Sequence, residues 1–132
     1  MTVYSPRYRE AIGFDKRRLQ QRGYFLTGEQ IRARNVLLGF QLASAPSIRV
    51  INMVNGRPVL RGRRNCMPTV YLDGFPVPSD PMNGATDDLD LLISVREIGG
   101  AEVYPDFLDA PAQFSRGGFC AVILLWSRQL VP

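Results

Sequence analysis

The sequence predicts an α+β domain with a small mixed β-sheet of four to five strands and short helices packed on it. Asn55-Gly56, the dipeptide that best tolerates a tight hairpin turn, separates two short segments with apolar residues that are typical of strands. Phe119 to Trp126 is apolar at every position, which is typical of a central strand covered on both faces. A chain of 132 residues, 45% of them hydrophobic, forms one domain with its own core.

The first third of the chain predicts an arm followed by two short helices. Residues 1–24 mix arginines with aromatic residues at weak periodicity, so we expect a partly extended arm, ahead of a globular domain at 25–132. Thr27 followed by Gln30 is a capping-box pattern and predicts a helix over about residues 28–35. A second helix fits residues 36–42 and must end before Pro46.

The middle of the chain predicts three strands and a loop. The hairpin strands lie at residues 48–53 and 59–60, and a third strand runs from Thr69 to Leu72. Asp73-Gly74 predicts a turn, and the prolines that follow make the continuation an edge or a loop. Residues 79–84 are expected to form a surface loop.

The last third predicts a helix, two strands and a turn. Thr86 can cap a helix with Asp87 and Asp88 in its first turn, and Gly99-Gly100 is expected to end it. A strand at 101–104 follows, then a short helix or turn over 105–114, and the closing strand at 119–126.

Charge is unevenly distributed along the chain. Residues 1–64 hold 13 Lys or Arg and 3 Asp or Glu, whereas residues 65–132 hold 3 and 9. We favour mutual neutralisation of the two halves, because the basic residues are scattered among apolar ones. A basic face directed at phosphate or at an anionic membrane surface is the alternative.

The composition argues against an enzyme and against a bound cofactor. Histidine, the commonest general base and metal ligand, is absent. Two cysteines are too few for a structural zinc site, which leaves a disulfide or two buried thiols. The aspartates at 87, 88 and 90 lack the spacing of a cation cage, and nothing fixes the separation of Glu97, Glu102, Asp106 and Asp109 as catalytic partners. We therefore expect no catalytic residue, cofactor or metal.

Five segments in order resemble the plug domain of TonB-dependent outer-membrane receptors over roughly residues 14–128. They are Phe14 with Arg17-Arg18 and F-L-T at 25–27, L-A-S-A-P-S-I-R-V at 42–50, V-Y-L-D-G at 70–74, the helix leading to E-V-Y at 102–104, and F-C-A-V-I-L-L-W-S-R at 119–128. The resemblance implies a plug-like sheet and a periplasmic or otherwise extracytoplasmic location. It also implies that Cys66 and Cys120 lie on neighbouring strands and form a disulfide, with two reduced thiols as the alternative.

The chain also departs from the plug pattern. A receptor plug continues into a large membrane barrel, whereas this sequence runs only four residues past Arg128, so we expect a stand-alone plug-like protein. The peptide that engages the energising protein is not recognisable in residues 1–13, and Ser47 replaces a family glycine. The sequence shows neither a secretory signal nor an apolar run of the roughly 18 residues that span a bilayer.

These observations predict a non-catalytic binding or accessory subunit that docks on a larger protein partner, a membrane-embedded complex. The arm combines arginines with aromatics, the residue types that dominate interface hot spots. The predicted docking residues are Tyr4, Arg7, Tyr8, Arg9, Phe14, Arg17, Arg18, Arg22 and Tyr24. We expect removal of residues 1–24 to abolish docking and leave the fold intact.

Two other functions remain open. A ligand-binding module, for a glycan or a siderophore-like molecule, would need a pocket near the loops at 61–68, 78–85 and 113–118. A nucleic-acid-binding protein would use the same arginines and aromatics, but no recognition motif is present.

Overall fold

A computed structural model describes residues 6–77, 89–116 and 118–131, and the backbone alone over residues 6–12. The helices are α1 Pro6–Gln20, α2 Gly28–Arg34, α3 Leu38–Leu42 and α4 Leu89–Leu92. The strands are β1 Tyr24–Thr27, β2 Arg49–Val54, β3 Arg57–Arg61, β4 Thr69–Leu72, β5 Phe75–Pro76, β6 Ile98–Tyr104 and β7 Val122–Ser127. Single 3-10 turns lie at Arg63–Asn65, Phe107–Asp109 and Ala112–Phe114.

The main sheet has five strands in the order β1-β6-β7-β4-β5. β7 runs parallel to β4 and antiparallel to β6, and the other pairs are antiparallel, so the sheet is mixed. Val122 to Trp126 are all buried. The predicted α+β class is confirmed, and so is the closing strand as a central one, because both of its faces are covered.

Each face of the main sheet has its own apolar layer. Ile123 and Leu125 of β7 point into a layer formed with α2, α3 and α4. Val122, Leu124 and Trp126 point the other way, into a layer that includes Phe14 of α1 and Phe114. This division follows from the alternation of side chains along a strand, and it makes α1 part of the core.

The predicted hairpin and the helix cap are present. β2 and β3 pair around Asn55 and Gly56, whose φ angles of 50° and 78° are those of a two-residue hairpin turn. The hydroxyl of Thr27 accepts a hydrogen bond from the Gln30 backbone N–H, and the Gln30 side chain accepts one from the Thr27 N–H. The loop predicted at residues 79–84 and the cap at Thr86 lie outside the described residues.

Two predictions about the backbone are wrong. Residues 6–20 form a helix, not an extended arm, and β1 follows it directly. Gly99 and Gly100 lie inside β6 and do not end a helix. A β-carbon on Gly100 would lie 2.8 Å from the ring of Phe14, so the glycine is needed for close packing of α1 on the sheet.

Candidate functional site

One end of the main sheet brings together the exposed arginines and aromatics of several loops. β1, β4 and β7 begin at this end and β6 finishes there, since Tyr24 lies opposite Val103 and both Tyr104 and Thr69 lie beside Val122. The loops that precede or follow these strands therefore converge. We call this surface the arginine end and define it by Arg22, Tyr24, Arg63, Arg64, Phe107 and Phe119.

A disulfide between Cys66 and Cys120 holds the arginine end together. Their Cα atoms are 5.7 Å apart, and each cysteine precedes one of the two parallel strands β4 and β7. The disulfide prediction is confirmed, although Cys120 lies ahead of its strand and not inside it. Gly62 packs directly on the bridge, because a β-carbon there would lie 2.9 Å from the Cys120 sulfur.

The Gly62 backbone N–H also donates a 2.8 Å hydrogen bond to the Cys66 carbonyl. The turn between these two residues contains Arg63 and Arg64, and both side chains are exposed. The bridge therefore positions two arginines beside the segment that leads into β7.

A cleft of about 290 Å³ opens at this end. Two arginines and two aspartates line it: Arg22, Arg63, Asp106 and Asp109. Asp106 is partly engaged, since its carboxylate accepts a 2.9 Å hydrogen bond from the Leu108 N–H. The remaining lining residues are Gln21, Gly23, Tyr24, Pro46 and Pro105.

Beside the cleft, the exposed Phe119 forms an aromatic pair with the half-buried Phe107. Phe119 is 91% exposed, and its ring meets that of Phe107 edge-on at a centroid distance of 5.4 Å. Leu108 next to them is also exposed. Arginine and aromatic side chains held on a rigid surface are the composition typical of protein interfaces and of ligand sites.

Helix α1 is fastened to the sheet by a buried ion pair. The Arg17 guanidinium donates from Nε and from one terminal nitrogen to the two carboxylate oxygens of Glu102, at 2.8 and 2.7 Å. Glu102 is fully buried in β6, and Phe14, one turn earlier on α1, is 1% exposed. Burial alone would lower the pKa of Arg17, but the hydrogen bond and the charge of Glu102 raise it above its ordinary value.

Two aromatic side chains complete the coordination of Glu102. The Tyr104 hydroxyl and the Trp126 indole N–H each donate a 2.6 Å hydrogen bond to its carboxylate. Burial and the charge of Glu102 raise the pKa of Tyr104, so its hydroxyl stays protonated and donates. These bonds make the Glu102 carboxylate the centre of the α1 attachment.

The structure separates the predicted docking residues into groups. Phe14 and Arg17 face inward and hold α1 on its own sheet, so we reassign them from docking to anchoring. Arg18 and Arg22 are exposed, and Tyr24 is half-buried at the start of β1. Arg7, Tyr8 and Arg9 lie in α1, where only the backbone is described, and Tyr4 lies outside the described residues.

This anchoring argues against the expectation that a chain without residues 1–24 keeps its fold. Such a chain loses Arg17 and Phe14, which leaves the carboxylate of Glu102 buried without its cation. An uncompensated buried charge is strongly destabilising. We therefore expect the truncation to destabilise the fold, so changes of surface residues are the better test of docking.

The described residues give no further indication of a metal site or a membrane span. Within residues 13–77, 89–116 and 118–131, no three Cys, Asp or Glu side chains lie close enough to hold a metal ion. Asp87 and Asp88, whose spacing does not fit a cation site, lie outside the described residues. No helix in the described part of the chain is both long enough and apolar enough to cross a bilayer.

Comparison with known proteins finds similarity in structure alone. No protein-family model matches the sequence, and no curated protein matches it significantly. The fold is similar to that of the siderophore receptor PirA from Pseudomonas aeruginosa, with a TM-score of 0.54 and 17% identity over 81% of this chain and 18% of the receptor. It is also similar to a mutant of the ferric enterobactin receptor PfeA from the same organism, with a TM-score of 0.60 and 16% identity over 95% of this chain and 19% of that one.

These similarities show the fold. This chain spans about a fifth of the length of either receptor. The arginine end is defined from the residues of this chain and not from those of the receptors. The similarity agrees with the plug resemblance found in the sequence, and the mixed five-stranded sheet is consistent with a plug-like domain.

Proposed function

We propose that this chain is a non-catalytic, extracytoplasmic binding or accessory subunit that docks on a larger partner, a membrane-embedded protein complex. The observation that carries the proposal is the arginine end, where a disulfide holds exposed arginines beside the exposed Phe119, whose ring packs on the half-buried Phe107. The plug-like fold and the similarity to two receptor structures support an extracytoplasmic location. Disulfides persist in such a compartment.

The docking surface extends from the arginine end to exposed residues of the last turns of α1. Leu19 is exposed and points away from the buried Phe14, whereas Arg18, one turn after Phe14, is exposed and pairs with Asp15 at 3.3 Å. Arg22 follows the helix and lines the cleft of the arginine end. A partner with an acidic, partly apolar surface would complement these arginines and the exposed apolar side chains beside them.

Charge reversal of Arg18 and Arg22 tests this proposal. We expect the double variant Arg18→Glu/Arg22→Glu to lose capture of its complex from detergent-solubilised native membranes by at least about tenfold, the size of an interface hot-spot effect. The matched control Arg34→Glu/Arg96→Glu changes the same charge at two exposed sites elsewhere and should capture the complex as the wild type does. Equal capture by both double variants would reject docking through this surface.

A second candidate function is binding of a small ligand, a glycan or a siderophore-like molecule, in the cleft of the arginine end. The cleft favours it because two arginines, two aspartates and Tyr24 line a concave site of about 290 Å³. We expect thermal-shift screens with iron-loaded siderophores and with oligosaccharides to raise the melting temperature of the wild type. Arg63→Gln should remove that shift, and a wild type unmoved by both ligand classes would exclude the candidate.

A further inference from the structure

The turn between β2 and β3 exposes an asparagine directly ahead of a glycine. Asn55 and Gly56 are both exposed, and a β-carbon built on Gly56 would meet no atom within 4 Å. The six residues of β2 that lead into the turn are exposed as well. The dipeptide therefore lies at an open hairpin tip, where few contacts oppose a local change of conformation.

An asparagine ahead of a glycine loses ammonia without an enzyme, and asparagine is among the thermolabile residues. The backbone nitrogen of the glycine attacks the side-chain amide carbon and forms a new carbon–nitrogen bond. The amide nitrogen leaves as ammonia and takes the proton of the attacking nitrogen. Water then opens the five-membered succinimide at one of its two carbonyl carbons, which yields aspartate or isoaspartate. Glycine reacts fastest because it has no side chain to hinder the attack.

The other exposed asparagines of the described chain lack this partner. Asn35, Asn52 and Asn65 are exposed, and the φ angles of Asn35 and Asn65, 50° and 64°, are close to the 50° of Asn55. They precede a valine, a methionine and a cysteine, whose side chains obstruct the attacking nitrogen. Exposure and backbone conformation are therefore shared, and the following glycine distinguishes Asn55.

The turn at Asp73 and Gly74 has a similar backbone conformation but a held side chain. Its φ angles are 51° and 87°, and an aspartate ahead of glycine closes the same ring with loss of water. The Asp73 carboxylate, however, accepts a 2.7 Å hydrogen bond from the Ser127 N–H, which fixes it on β7. Within the described parts of the chain no hydrogen bond holds the Asn55 side chain in this way. Asn55 can therefore turn toward the Gly56 nitrogen.

We propose that Asn55 is a site of spontaneous deamidation in the folded protein and that the isoaspartate product remodels the hairpin. Isoaspartate adds one atom to the backbone of a two-residue turn whose flanking residues Val54 and Arg57 lie opposite each other. The longer turn cannot keep that register. Both products replace a neutral amide with a carboxylate, so the net charge falls by one from +4. The proposal does not depend on docking through the arginine end.

Peptide mass spectrometry of the whole folded chain, incubated at mildly alkaline pH, tests the reaction. We expect Asn55 to gain the mass of an amide-to-acid exchange before the three other exposed asparagines do, and fragment ions separate it from Asn52. Its rate should lie within about tenfold of its rate in urea, because each factor of ten needs about 1.4 kcal/mol of opening free energy and an exposed turn opens at little cost. Asn83-Gly84, outside the described residues, is the reference for an unprotected pair in urea.

Two variants of residue 55 serve as controls. Asn55→Gln lengthens the side chain by one methylene, which disfavours ring closure, and should abolish the conversion at this position while Asn83 still converts in urea. Asn55→Asp has the composition and charge of the isoaspartate form but an ordinary backbone. We expect amide hydrogen exchange in β2 and β3 to be at least about tenfold faster in the purified isoaspartate form than in Asn55→Asp.

Three results would contradict the proposal. An Asn55 that converts in urea but stays unchanged in the folded chain shows that the turn is protected. A conversion in the folded chain no faster than that of Asn35 shows that the glycine gives no advantage there. Equal hydrogen exchange in the isoaspartate form and in Asn55→Asp shows that the hairpin is not remodelled.

Discussion

Replacing Glu102 with glutamine is expected to lower the free energy of unfolding by about 3–5 kcal/mol, the cost of removing one partner from a buried ion pair. The variant leaves the Arg17 cation against a neutral side chain in a part-buried site. Glutamine also replaces one carboxylate oxygen, an acceptor, with an NH2 group, a donor. That donor faces Arg17, Tyr104 or Trp126, each of which donates a hydrogen bond to Glu102 in the wild type. Urea unfolding followed by fluorescence of Trp126, the single and fully buried tryptophan, measures the loss.

The control for this prediction is Glu97→Gln, which makes the same change at an exposed residue and should shift stability by less than about 0.5 kcal/mol.

Arg17→Met should also be strongly destabilising, because it leaves the Glu102 carboxylate buried without its cation. The double variant should then cost less than the sum of the two single ones. Additive losses would show that Arg17 and Glu102 do not act as a pair.

Local signals were enough to predict the elements whose stability is decided by nearby residues. The capping box needs Thr27 and Gln30 alone, and the hairpin turn needs Asn55 and Gly56. β7 was predicted because a continuous apolar run of strand length is accommodated best at the centre of a sheet. In each case the physical cause lies within a few residues of the chain.

Helix α1 could not be predicted because its stability depends on a contact far along the sequence. Among residues 13–20 of α1, whose side chains are described, only Phe14 is buried, so an apolar stripe at helical spacing is nearly absent there. The helix is held by Arg17, whose partner Glu102 lies 85 residues away. Arginines that looked like a docking set therefore include one that is part of the core.

The strand that contains Gly99 and Gly100 also depends on contacts that are distant in sequence. A glycine pair after an apolar helical pattern favours a helix end when only neighbours in sequence are considered. In the structure the pair lies in β6, where Gly100 admits the Phe14 ring and Gly99 contacts the carbonyl of Val131. The requirement for glycine comes from chain segments that meet only after folding.

The sequence shows the separate segments of the arginine end but does not show that they meet in the folded chain. The basic run at 61–64 and the exposed Phe119 are more than 50 residues apart, and the parallel pairing of β4 with β7 brings their flanking loops together. The two cysteines were the one signal that linked these segments. Of the arm, Arg22 and Tyr24 belong to the site.

Removing the disulfide is the second change with a large expected effect. Cys66→Ala/Cys120→Ala should lower the free energy of unfolding by about 4 kcal/mol, because the bridge closes a loop with a sequence separation of 54 and restricts the unfolded chain. Gly62 packs on the sulfurs, so the turn that carries Arg63 and Arg64 loses its support as well. We therefore expect capture of the membrane complex to weaken together with stability.

Reducing the disulfide of the wild type distinguishes the loss of the bridge from any other effect of the two alanine substitutions. A reductant should destabilise the wild type to about the level of the double variant and leave the double variant itself unchanged, since no other cysteine exists in the chain. Chemical denaturation with and without reductant measures both. A wild type that keeps its full stability after complete reduction, verified by mass, would show that packing at the arginine end does not need the covalent link. In that case the rigid presentation of Arg63, Arg64 and Phe119 would have to come from the strands alone.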